Sequence, residues 1–408
     1  MKNYPHNNYR GLIIAGPGAV GRAVLHLGDD LLRSFEEVVL IDRDPAVGNC
    51  LAGGPGCFLP GDITDSAWLE EQLRKVAKPA LFVNLCAGID NVKIRKVVAG
   101  FNAAYIDSCC CAPDGSREVR FSRMMSYTRT AIASDRPQWL CWGINPGLVE
   151  LVTRSLMRCF ADQKGDFDVT VYEHDQLVNG DESRVAVGWC PDALIEEVMQ
   201  SPALCFEEGR PVEPAEEGSR KVIACWDGEP VHSRLVGHED IWNIGMLPQV
   251  RNASFVYGLH PKVMQVFEQS IDTARKRLYV PSSQVEVFGL ERVAVAVRNR
   301  LTGKERVLIW EEDHHRIWQR FKLNAVQYQT GKSILLALML LQHSRYGCLR
   351  GTYCAADLPI LFEDWRRIES FMQDLAINFA AADDLDLHLC ACPPTGSHAS
   401  DRVECCCL

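Results

Sequence analysis

Short apolar runs alternate with amphipathic stretches over the first 150 residues of the chain. This alternation is typical of strand–helix–strand units, in which parallel strands are buried between layers of helices. The apolar runs predict strands at 12–15, 37–41, 80–85, 104–107 and 139–143. The stretches between them, such as 19–27 and 66–76, predict helices, so this part of the chain belongs to the α/β class.

From about Asp166 the pattern changes to runs of alternating polarity, at 168–173, 221–226, 285–297 and 304–310. Such runs predict a mixed sheet that is exposed on one face. Helices are predicted at 191–200, 261–267, 324–342 and from about 361 to 381. We therefore expect an α/β domain in residues 1–150, a mixed α+β domain in 151–330, C-terminal helices in 331–385, and a disordered Cys-rich tail in 386–408.

The length of 408 residues favours two domains over a single hydrophobic core. The longest apolar run, 333–341, has about half the length of a membrane span, and the first eleven residues lack the apolar core of a secretory signal. We therefore expect a cytoplasmic protein with no membrane partner. The 18 cysteines are then expected to be reduced thiols rather than a disulfide framework.

Acidic residues outnumber basic ones, with 53 Asp and Glu against 43 Lys and Arg and a formal charge of −10. This balance disfavours a nucleic acid or an anionic membrane as partner and is compatible with a cationic ligand. Many enzymes of other specificity are equally acidic, so charge alone does not select a substrate.

The segment GPGAVG, residues 16–21, follows an apolar run and opens an alanine- and leucine-rich helix. This is the spacing G-x-G-x-x-G in the strand–turn–helix context that binds dinucleotides. Gly16 permits the tight turn, Gly18 lets a pyrophosphate approach the backbone, and Gly21 lets the helix pack on the strand. Ala19 and Val20 complete the predicted phosphate site at the helix N-terminus. The alternative is a glycine-rich turn without a ligand.

Asp42 ends the next apolar run, 21 residues after Gly21. A carboxylate at this point accepts hydrogen bonds from ribose hydroxyls and repels a ribose phosphate, which favours NAD over NADP. The neighbouring Arg43 leaves some tolerance of NADP. The turn and Asp42 together predict a Rossmann domain with NAD as its cofactor.

Beyond these residues, the chain resembles homospermidine synthase and, more distantly, saccharopine dehydrogenase and carboxynorspermidine dehydrogenase. The resemblance covers roughly residues 10–345 and rests on the order and spacing of short motifs. These are GPGAVGRA, FVNLCAG, AAYIDS, GINPGLVE, VYEHDQ, GWCPDALIEE, GHEDIWNIG, YGLHPK and NAVQYQTG. The resemblance implies a Rossmann domain joined to a mixed α+β domain that binds substrate and makes the contacts of a homodimer.

Homospermidine synthase uses bound NAD as hydride acceptor and then as hydride donor. One amine carbon of putrescine is oxidised to an imine, the amine is exchanged, and the resulting Schiff base is reduced, without net redox change. If this chain acts in the same way, it binds a small cationic amine in a dry pocket beside the nicotinamide. Such a pocket requires carboxylates, an aromatic face and a proton shuttle.

The resemblance assigns site residues to both parts of that pocket. Asn145 in GINPG and Asn84 in FVNLCAG are placed near the cofactor, and Glu173, at the end of a predicted strand, faces the amine. Without the resemblance, Asn-Pro-Gly is equally a turn signal, and a carboxylate at a strand end is more often solvated.

Trp189 and Glu197 lie in the motif GWCPDALIEE, where the tryptophan ring would contact an alkylammonium group. Helical periodicity alone cannot decide whether Glu196 or Glu197 faces the pocket, and the resemblance selects Glu197. His260 in YGLHPK matches a histidine near the reacting amine and could carry protons. His238, followed by Glu239, is the second candidate, and each of these residues could instead be structural.

The chain departs from the family pattern after AAYIDS, where the synthases have a glutamate and this chain has Cys111, preceded by Cys109 and Cys110. A thiol does not replace a fixed negative charge unless its pKa is lowered. The diamine specificity is therefore the weaker part of the prediction. The Cys spacings near the C-terminus do not match a zinc site, so no metal is predicted.

Two other functions stay open. A saccharopine dehydrogenase-like enzyme would oxidise or reduce its substrate by net hydride transfer. Such a substrate carries a carboxylate, and Arg184 and Arg234 are the candidate residues to bind it. The other alternative is a dinucleotide-binding protein without catalysis that acts as a sensor. The argument for it is that Cys111 stands where the family pattern has a glutamate.

Overall fold

The computed structural model describes residues 7–50, 54–110, 126–160, 165–180, 184–214, 221–226, 229–381 and 389–391. The strands, in chain order, are β1 Gly11–Ala15, β2 Glu37–Asp42, β3 Cys57–Pro60, β4 Ala80–Asn84, β5 Ala103–Asp107, β6 Pro137–Trp139, β7 Phe167–Asp175, β8 Val185–Ala186, β9 Cys205–Glu207, β10 Arg210–Val212, β11 Lys221–Trp226, β12 Glu229–Leu235, β13 Val250–Leu259, β14 Leu278–Tyr279, β15 Leu290–Asn299, β16 Glu305–Asp313, β17 Gly351–Tyr353, β18 Ala380–Ala381 and β19 Leu389–Ala391.

The α-helices, in chain order, are α1 Ala19–Leu27, α2 Asp29–Leu32, α3 Pro45–Cys50, α4 Ser66–Lys75, α5 Asn91–Ala99, α6 Leu148–Arg158, α7 Pro191–Ile195, α8 Glu239–Gly245, α9 Pro261–Phe267, α10 Ile271–Arg277, α11 His314–Phe321, α12 Ala325–His343 and α13 Phe362–Asp374. A π-helical turn, Glu196–Gln200, continues α7, and 3₁₀ turns lie at Arg345–Cys348 and Ala355–Asp357. Within the described residues, no helix is both long and apolar enough to cross a membrane.

The first sheet is parallel, in the order β17-β6-β5-β4-β1-β2-β3. Its central strands β1, β4 and β5 are buried at every residue, as expected for strands covered by helices on both faces. From β3 to β6 the order is that of a doubly wound dinucleotide-binding sheet, with the switch point between β1 and β4. The predicted α/β class and Rossmann domain are confirmed.

The second sheet is mixed and has the strand path β18-β16-β15-β7-β13-β12-β11-β19; β9 pairs with β13, and β10 pairs with β9. β7 and β13 form a parallel pair in its centre, and β15 pairs with β7 in the antiparallel sense. A further small sheet joins β8 and β14. The predicted combination of a Rossmann domain with a mixed α+β domain is therefore confirmed.

Helix α12 is buried along nearly its whole length and joins the two parts of the molecule. It lies so close to α1 that a Cβ on Gly331 would be 2.5 Å from Ala23 Cβ, and one on Gly28 would be 2.3 Å from Leu335 Cδ2. Its N-terminus carries a capping box formed by Asn324 and Gln327. The NAVQYQTG motif thus begins a helix that packs on the glycine-turn helix α1.

Several predicted boundaries differ from the structure. The C-terminal region predicted to begin at residue 331 begins inside α12, and β17 returns to the first sheet beside β6. The first domain is therefore not confined to residues 1–150. Of the predicted loose tail 386–408, residues 389–391 form β19, which pairs with β11. This part of the tail prediction is wrong, because backbone pairing with a sheet edge needs no sequence periodicity. The rest of the tail lies outside the described residues.

Two central elements lack a counterpart in the sequence-based prediction. Strand β13 and helix α6 were not predicted, although β13 lies between β7 and β12 in the middle of the second sheet. The strand predicted at 139–143 overlaps β6, Pro137–Trp139, only at residue 139. The helix predicted at 191–200 changes from α to π geometry at Glu196.

Candidate functional site

The glycine turn lies between β1 and α1, at the carboxyl end of the first sheet. Gly16 has φ +70, and a Cβ there would be 2.7 Å from Cys86 Sγ, so only glycine fits. A Cβ on Gly18 would meet nothing nearer than the Gly16 carbonyl oxygen at 4.0 Å. At Gly21 the Cβ would lie 3.1 Å from Pro17 Cβ, which agrees with close packing of α1. Gly18 therefore leaves open space above the turn.

Two cavities meet at this turn. The outer cavity, about 590 Å³, extends to Asp42 and Arg43 at the end of β2 and to Asp62 beyond β3. The inner cavity, about 280 Å³, extends towards the second domain and is lined by Ala19 and Val20. The two cavities have four lining residues in common: Gly16, Gly18, Leu85 and Ala87. Together they form a cleft along the carboxyl edge of the sheet, where open α/β folds bind ligands.

Asn84, which was predicted for the cofactor site, is not among the residues that line either cavity. It is buried at the end of β4, where its Nδ2 donates to Asn91 Oδ1 at 3.1 Å and to the Tyr105 hydroxyl at 2.9 Å. Its Oδ1 accepts a hydrogen bond from the backbone N–H of Cys86 at 3.1 Å. Asn84 therefore positions the loop after β4, including the Cys86 that contacts the glycine turn.

The inner cavity brings together four of the five predicted catalytic residues: Asn145, Glu173, Trp189 and Glu197. Asn145 follows β6, and its Nδ2 donates a hydrogen bond to Glu173 Oε2. Its Oδ1 is buried and has no hydrogen-bond partner among the described residues. Asn145 thus links the first domain to the carboxylate of β7 and keeps an acceptor at the cavity.

Glu173 is buried, with 7% of its surface exposed, near the carboxyl end of β7. Burial raises the pKa of its carboxyl to about 7, the hydrogen bond from Asn145 opposes this rise, and the charge of Asp175 adds to it. A carboxyl with this pKa exchanges protons near neutral pH. Glu173 is therefore suited to act as an acid and a base.

The indole of Trp189 is fixed by a hydrogen bond from Nε1 to the hydroxyl of Tyr257 at 3.1 Å. Tyr257 lies on β13 directly opposite Glu173 on β7, and it lines the inner cavity. Sequence reasoning missed Tyr257 because β13 was not predicted. The alternation of Phe255, Tyr257 and Leu259 on one face of this strand is the signal that could have indicated it.

Glu197 lies in the π-helical turn and is 3% exposed, whereas Glu196 is half-buried and does not line the cavity. Glu197 Oε1 is 3.8 Å from His238 Nε2. The structure therefore directs Glu197 into the cavity, as the resemblance implied.

His238 lines the inner cavity and precedes α8. Its Nδ1 is 2.9 Å from Asp240 Oδ1, and its ring stacks on Phe255 with centroids 4.6 Å apart. Burial lowers the pKa of His238. The charge and hydrogen bond of Asp240 oppose this, as do the charges of Glu197 and Glu239, and the pKa is raised to about 10. His238 is therefore a fixed cation at neutral pH, held among carboxylates.

His260 is not among the residues that line the inner cavity, so the structure does not bring it together with the other four predicted catalytic residues, and its catalytic role stays a prediction. It is the N-cap of α9, where its Nδ1 accepts a hydrogen bond from the backbone N–H of Lys262 at 3.2 Å. Burial and the charge of Lys262 lower the pKa of His260. The histidine at the cavity is the second candidate, His238.

The cysteine segment lies at the rim of the inner cavity, which Cys109 lines. The backbone N–H of Cys110 donates to Glu239 Oε1 at 3.1 Å. Glu239 therefore brings a second-domain carboxylate to the segment in which the synthases have a glutamate. Cys111 itself lies outside the described residues.

Two groups of side chains have possible metal-ligand atoms within 4.8 Å of one another: Glu197, His238 and Glu239, and behind the cavity Asp175, Glu291 and His314. In the second group, His314 Nδ1 accepts from the Ala325 N–H at 3.1 Å, so its proton lies on Nε2, 3.1 Å from Asp175 Oδ1. No ring nitrogen is then left for an ion. In the first group, the protonated His238 balances the carboxylates.

No protein-family model and no curated protein sequence matches the chain. Solved structures do match. The homospermidine synthase from Legionella pneumophila, solved in complex with NAD, aligns with a TM-score of 0.71 over 91% of this chain and 91% of that chain, at 14% identity. Apo saccharopine dehydrogenase (L-Glu forming) from Saccharomyces cerevisiae aligns with a TM-score of 0.60 over 94% of this chain and 100% of that chain, at 10% identity. The chain therefore has the fold of these two enzymes, as its motifs indicated.

Proposed function

We propose that the protein is an NAD-dependent enzyme that acts on a small cationic amine through imine chemistry, in the manner of homospermidine synthase. The observation that carries this proposal is the cleft itself. It runs from Asp42, over the glycine turn, to an inner cavity that contains Glu173, Glu197 and His238.

The residues of the first domain fit a dinucleotide. Gly16 permits the tight turn, and Gly18 leaves room for phosphates beside the N-terminus of α1. Asp42 lines the outer cavity, where its carboxylate can accept hydrogen bonds from ribose hydroxyls. Asn145 offers a buried oxygen acceptor at the opposite end of the cleft. NAD, when bound there, supplies hydride acceptance and hydride return at the amine carbon.

The charges of the inner cavity support an amine rather than a carboxylate-bearing substrate. Glu173, Glu197 and Glu239 line it, and no arginine or lysine is among the described lining residues. Arg184 instead lies over the Tyr279 ring, 4.0 Å from its centroid. Arg234 is on β12 opposite Tyr257 and is not among the residues that line the cavity. A dehydrogenase acting on an amino acid would need a cation that is free to bind the substrate carboxylate, whereas His238 is already paired with Asp240 and lies beside Glu197.

Trp189 adds the aromatic face. Its ring is fixed by Tyr257 and lines the same cavity as Glu197. An ammonium group that contacts an indole face gains about 1–2 kcal/mol when it is desolvated. The carboxylates and Trp189 together can hold an alkylammonium group beside the Asn145 end of the cleft.

Proton transfer would fall to Glu173, which can accept a proton from the substrate ammonium before hydride is removed. It can return the proton when the amine leaves. His238, with its pKa raised to about 10, keeps its proton throughout and stabilises the carboxylates when the cavity is empty. The redox-neutral course, from diamine through imine to a new secondary amine, rests on the resemblance.

The first test is the cofactor. The purified protein is denatured by heat and the released small molecules are identified by mass spectrometry, with Asp42→Ala as the matched variant. We expect NAD from the unmodified protein and little from the variant. Equal release from both would remove the assignment of Asp42 to ribose binding.

The second test is turnover with putrescine and catalytic NAD. We expect homospermidine and ammonia, with no accumulation of NADH. Steady accumulation of NADH would favour the dehydrogenase alternative, and absence of any reaction with diamines or amino acids would favour the non-catalytic sensor. The predicted homodimer rests on the resemblance alone. Light scattering of the purified protein tests it separately, by measuring its molar mass in solution.

A further inference from the structure

Glu291 is a buried acidic residue behind the inner cavity that the proposed reaction does not use. It lies on β15, has 1% of its surface exposed, and is not among the residues that line the cavity. In the antiparallel pairing of β15 with β7, Glu291 is opposite Asp175, and Val293 is opposite Glu173. Glu291 is therefore a diagonal neighbour of Glu173 on the same face of the sheet.

This register brings the two long acidic side chains within reach of each other, and the interaction with Glu173 contributes to raising the pKa of the Glu291 carboxyl. Glu291 Oε2 is buried and accepts no hydrogen bond from a donor group among the described residues. An ionised carboxylate only accepts hydrogen bonds, so two carboxyl groups form a hydrogen bond with each other only when one of them holds a proton. Two buried carboxyl groups at this distance do not both ionise.

The groups that face this pair come from several parts of the chain. Asp175 on β7 is held as an acceptor by the Leu177 N–H at 2.8 Å and by His314 Nε2 at 3.1 Å. Tyr257 on β13 is opposite Glu173, and Asn145, after β6, donates to Glu173 Oε2. On the cavity side, Glu173 faces Glu197 and the cationic His238.

We propose that Glu291 is a positioning residue for Glu173, and that the two carboxyl groups share one proton. This proposal rests on the proposed amine chemistry and deepens it. The pair carries a single negative charge before substrate binds. When it takes a proton from the substrate ammonium, an N–H bond breaks, a second O–H bond forms, and the pair becomes neutral. Return of that proton to the leaving amine restores the single charge.

The arrangement assigns different tasks to the two residues. Burial, together with the charges of Asp175 and Glu173, holds the pKa of Glu291 well above its ordinary value. Glu291 therefore keeps the proton and donates a hydrogen bond to Glu173. Glu173 receives hydrogen bonds from both Asn145 and Glu291 and presents its remaining acceptor capacity to the cavity. A lone Glu173 would ionise or protonate as a single group, without this donor.

The test uses Glu291→Gln, which keeps the shape and the hydrogen-bond donor but has no proton to exchange. Infrared spectroscopy of the full-length protein without substrate should show a protonated carboxyl band near neutral pH that this variant lacks. Glu312→Gln is the matched control, since Glu312 is also buried but accepts hydrogen bonds from Trp310 Nε1 at 3.0 Å and from Arg316 Nη2 at 2.6 Å. A band unchanged in Glu291→Gln would overturn the proposal. If Glu291→Gln does not fold, Glu173→Gln is used instead. It replaces the carboxylate partner of Glu291 with an amide and should shift the protonated carboxyl band. An unshifted band would also overturn the proposal.

Kinetics give the second readout. In Glu291→Gln the KM for the diamine should stay within about threefold, because Glu173 keeps its charge, while kcat falls by about tenfold or more. The acid limb of the kcat profile should move to lower pH, since a permanent N–H donor stabilises ionised Glu173. An unmoved limb would overturn the role in proton transfer. If the unmodified protein turns over no amine, the proposed function fails, but the infrared result still decides whether the pair shares a proton.

Discussion

The two halves of the cleft are built on different physical principles. The half formed by the first domain is shaped by backbone and small residues, above all Gly16 and Gly18. The half formed by the second domain is a set of buried charges, with Glu173, Glu197 and His238 within one small cavity. Shape decides what the first half binds, whereas charge balance decides it in the second. Substitutions should therefore fail sterically in one half and electrostatically in the other.

The largest effect is expected at the glycine turn. Gly18→Trp places a large side chain in the open space above the turn. No protein atom lies nearer than 4.0 Å to the position of its Cβ, so we expect the turn itself to keep its structure. We expect no detectable NAD in the purified variant and an unchanged circular dichroism spectrum. Gly100→Trp, at the exposed end of α5, is the control and should keep full occupancy. Normal occupancy in Gly18→Trp would show that the phosphates lie elsewhere.

The charged half should respond to the loss of a single charge. Glu197→Gln keeps the shape of the side chain, but leaves a buried ammonium without one counter-charge, which costs several kcal/mol. We expect kcat/KM for the diamine to fall by roughly 100-fold. Glu196→Gln removes the same charge one residue earlier, outside the cavity, and should be silent. Equal sensitivity at both positions would mean that bulk charge, rather than the cavity, attracts the substrate.

The same contrast explains how far the sequence could predict the site. The phosphate turn is contiguous in the chain, so G-x-G-x-x-G with Asp42 was sufficient to predict that half. The other half is assembled from β7, the π-helical turn, the segment before α8 and β13, which only the fold brings together. Helical periodicity could not choose between Glu196 and Glu197, because a π turn departs from 3.6 residues per turn.

Asn84 shows a second limit of sequence-based assignment. Its position at the end of an apolar strand is typical of a ligand-binding residue, but its amide makes its hydrogen bonds with the protein itself. These partners, Asn91, Tyr105 and Cys86, are set by the packing of β4 against its neighbours. Whether a polar group at a strand end is available to a ligand depends on such partners, and local sequence does not contain that information.

A smaller effect is expected from the aromatic face. Trp189→Leu keeps apolar bulk but removes the cation–π attraction, so we expect kcat/KM to fall by roughly tenfold. Tyr257→Phe deletes only the acceptor of the indole N–H and should give a partial loss of the same kind. A loss at Trp189 as large as that at Glu197 would indicate that shape matters more than charge in this half as well.

The charged half should also make stability depend on pH. Burial raises the pKa of Glu173 from 4.5 to about 7, so the native state holds this proton more tightly than the unfolded chain. The stabilisation is fully present below about pH 4.5 and is lost as pH rises towards about 7. In urea unfolding, Glu173→Gln should therefore gain stability relative to the unmodified protein between about pH 5 and about pH 8. A constant difference over this range would contradict the raised pKa.

The smallest effect is expected at His260, and it separates the two histidines. As the N-cap of α9, His260 supplies an acceptor to the Lys262 N–H, a role that asparagine fills equally well. His260→Asn should leave kcat/KM within about twofold, and His260→Ala should lose about 1 kcal/mol of unfolding free energy with similar kinetics. His238→Asn, in contrast, removes the cation held by Asp240 and Glu197 and should reduce turnover strongly. The comparison needs both variants at saturating NAD, so that a cofactor defect is not mistaken for a loss of catalysis. If His260→Asn lost activity as His238→Asn does while its thermal midpoint stayed unchanged, His260 would have to reach the amine in the complex, and its exclusion from the cavity would be wrong.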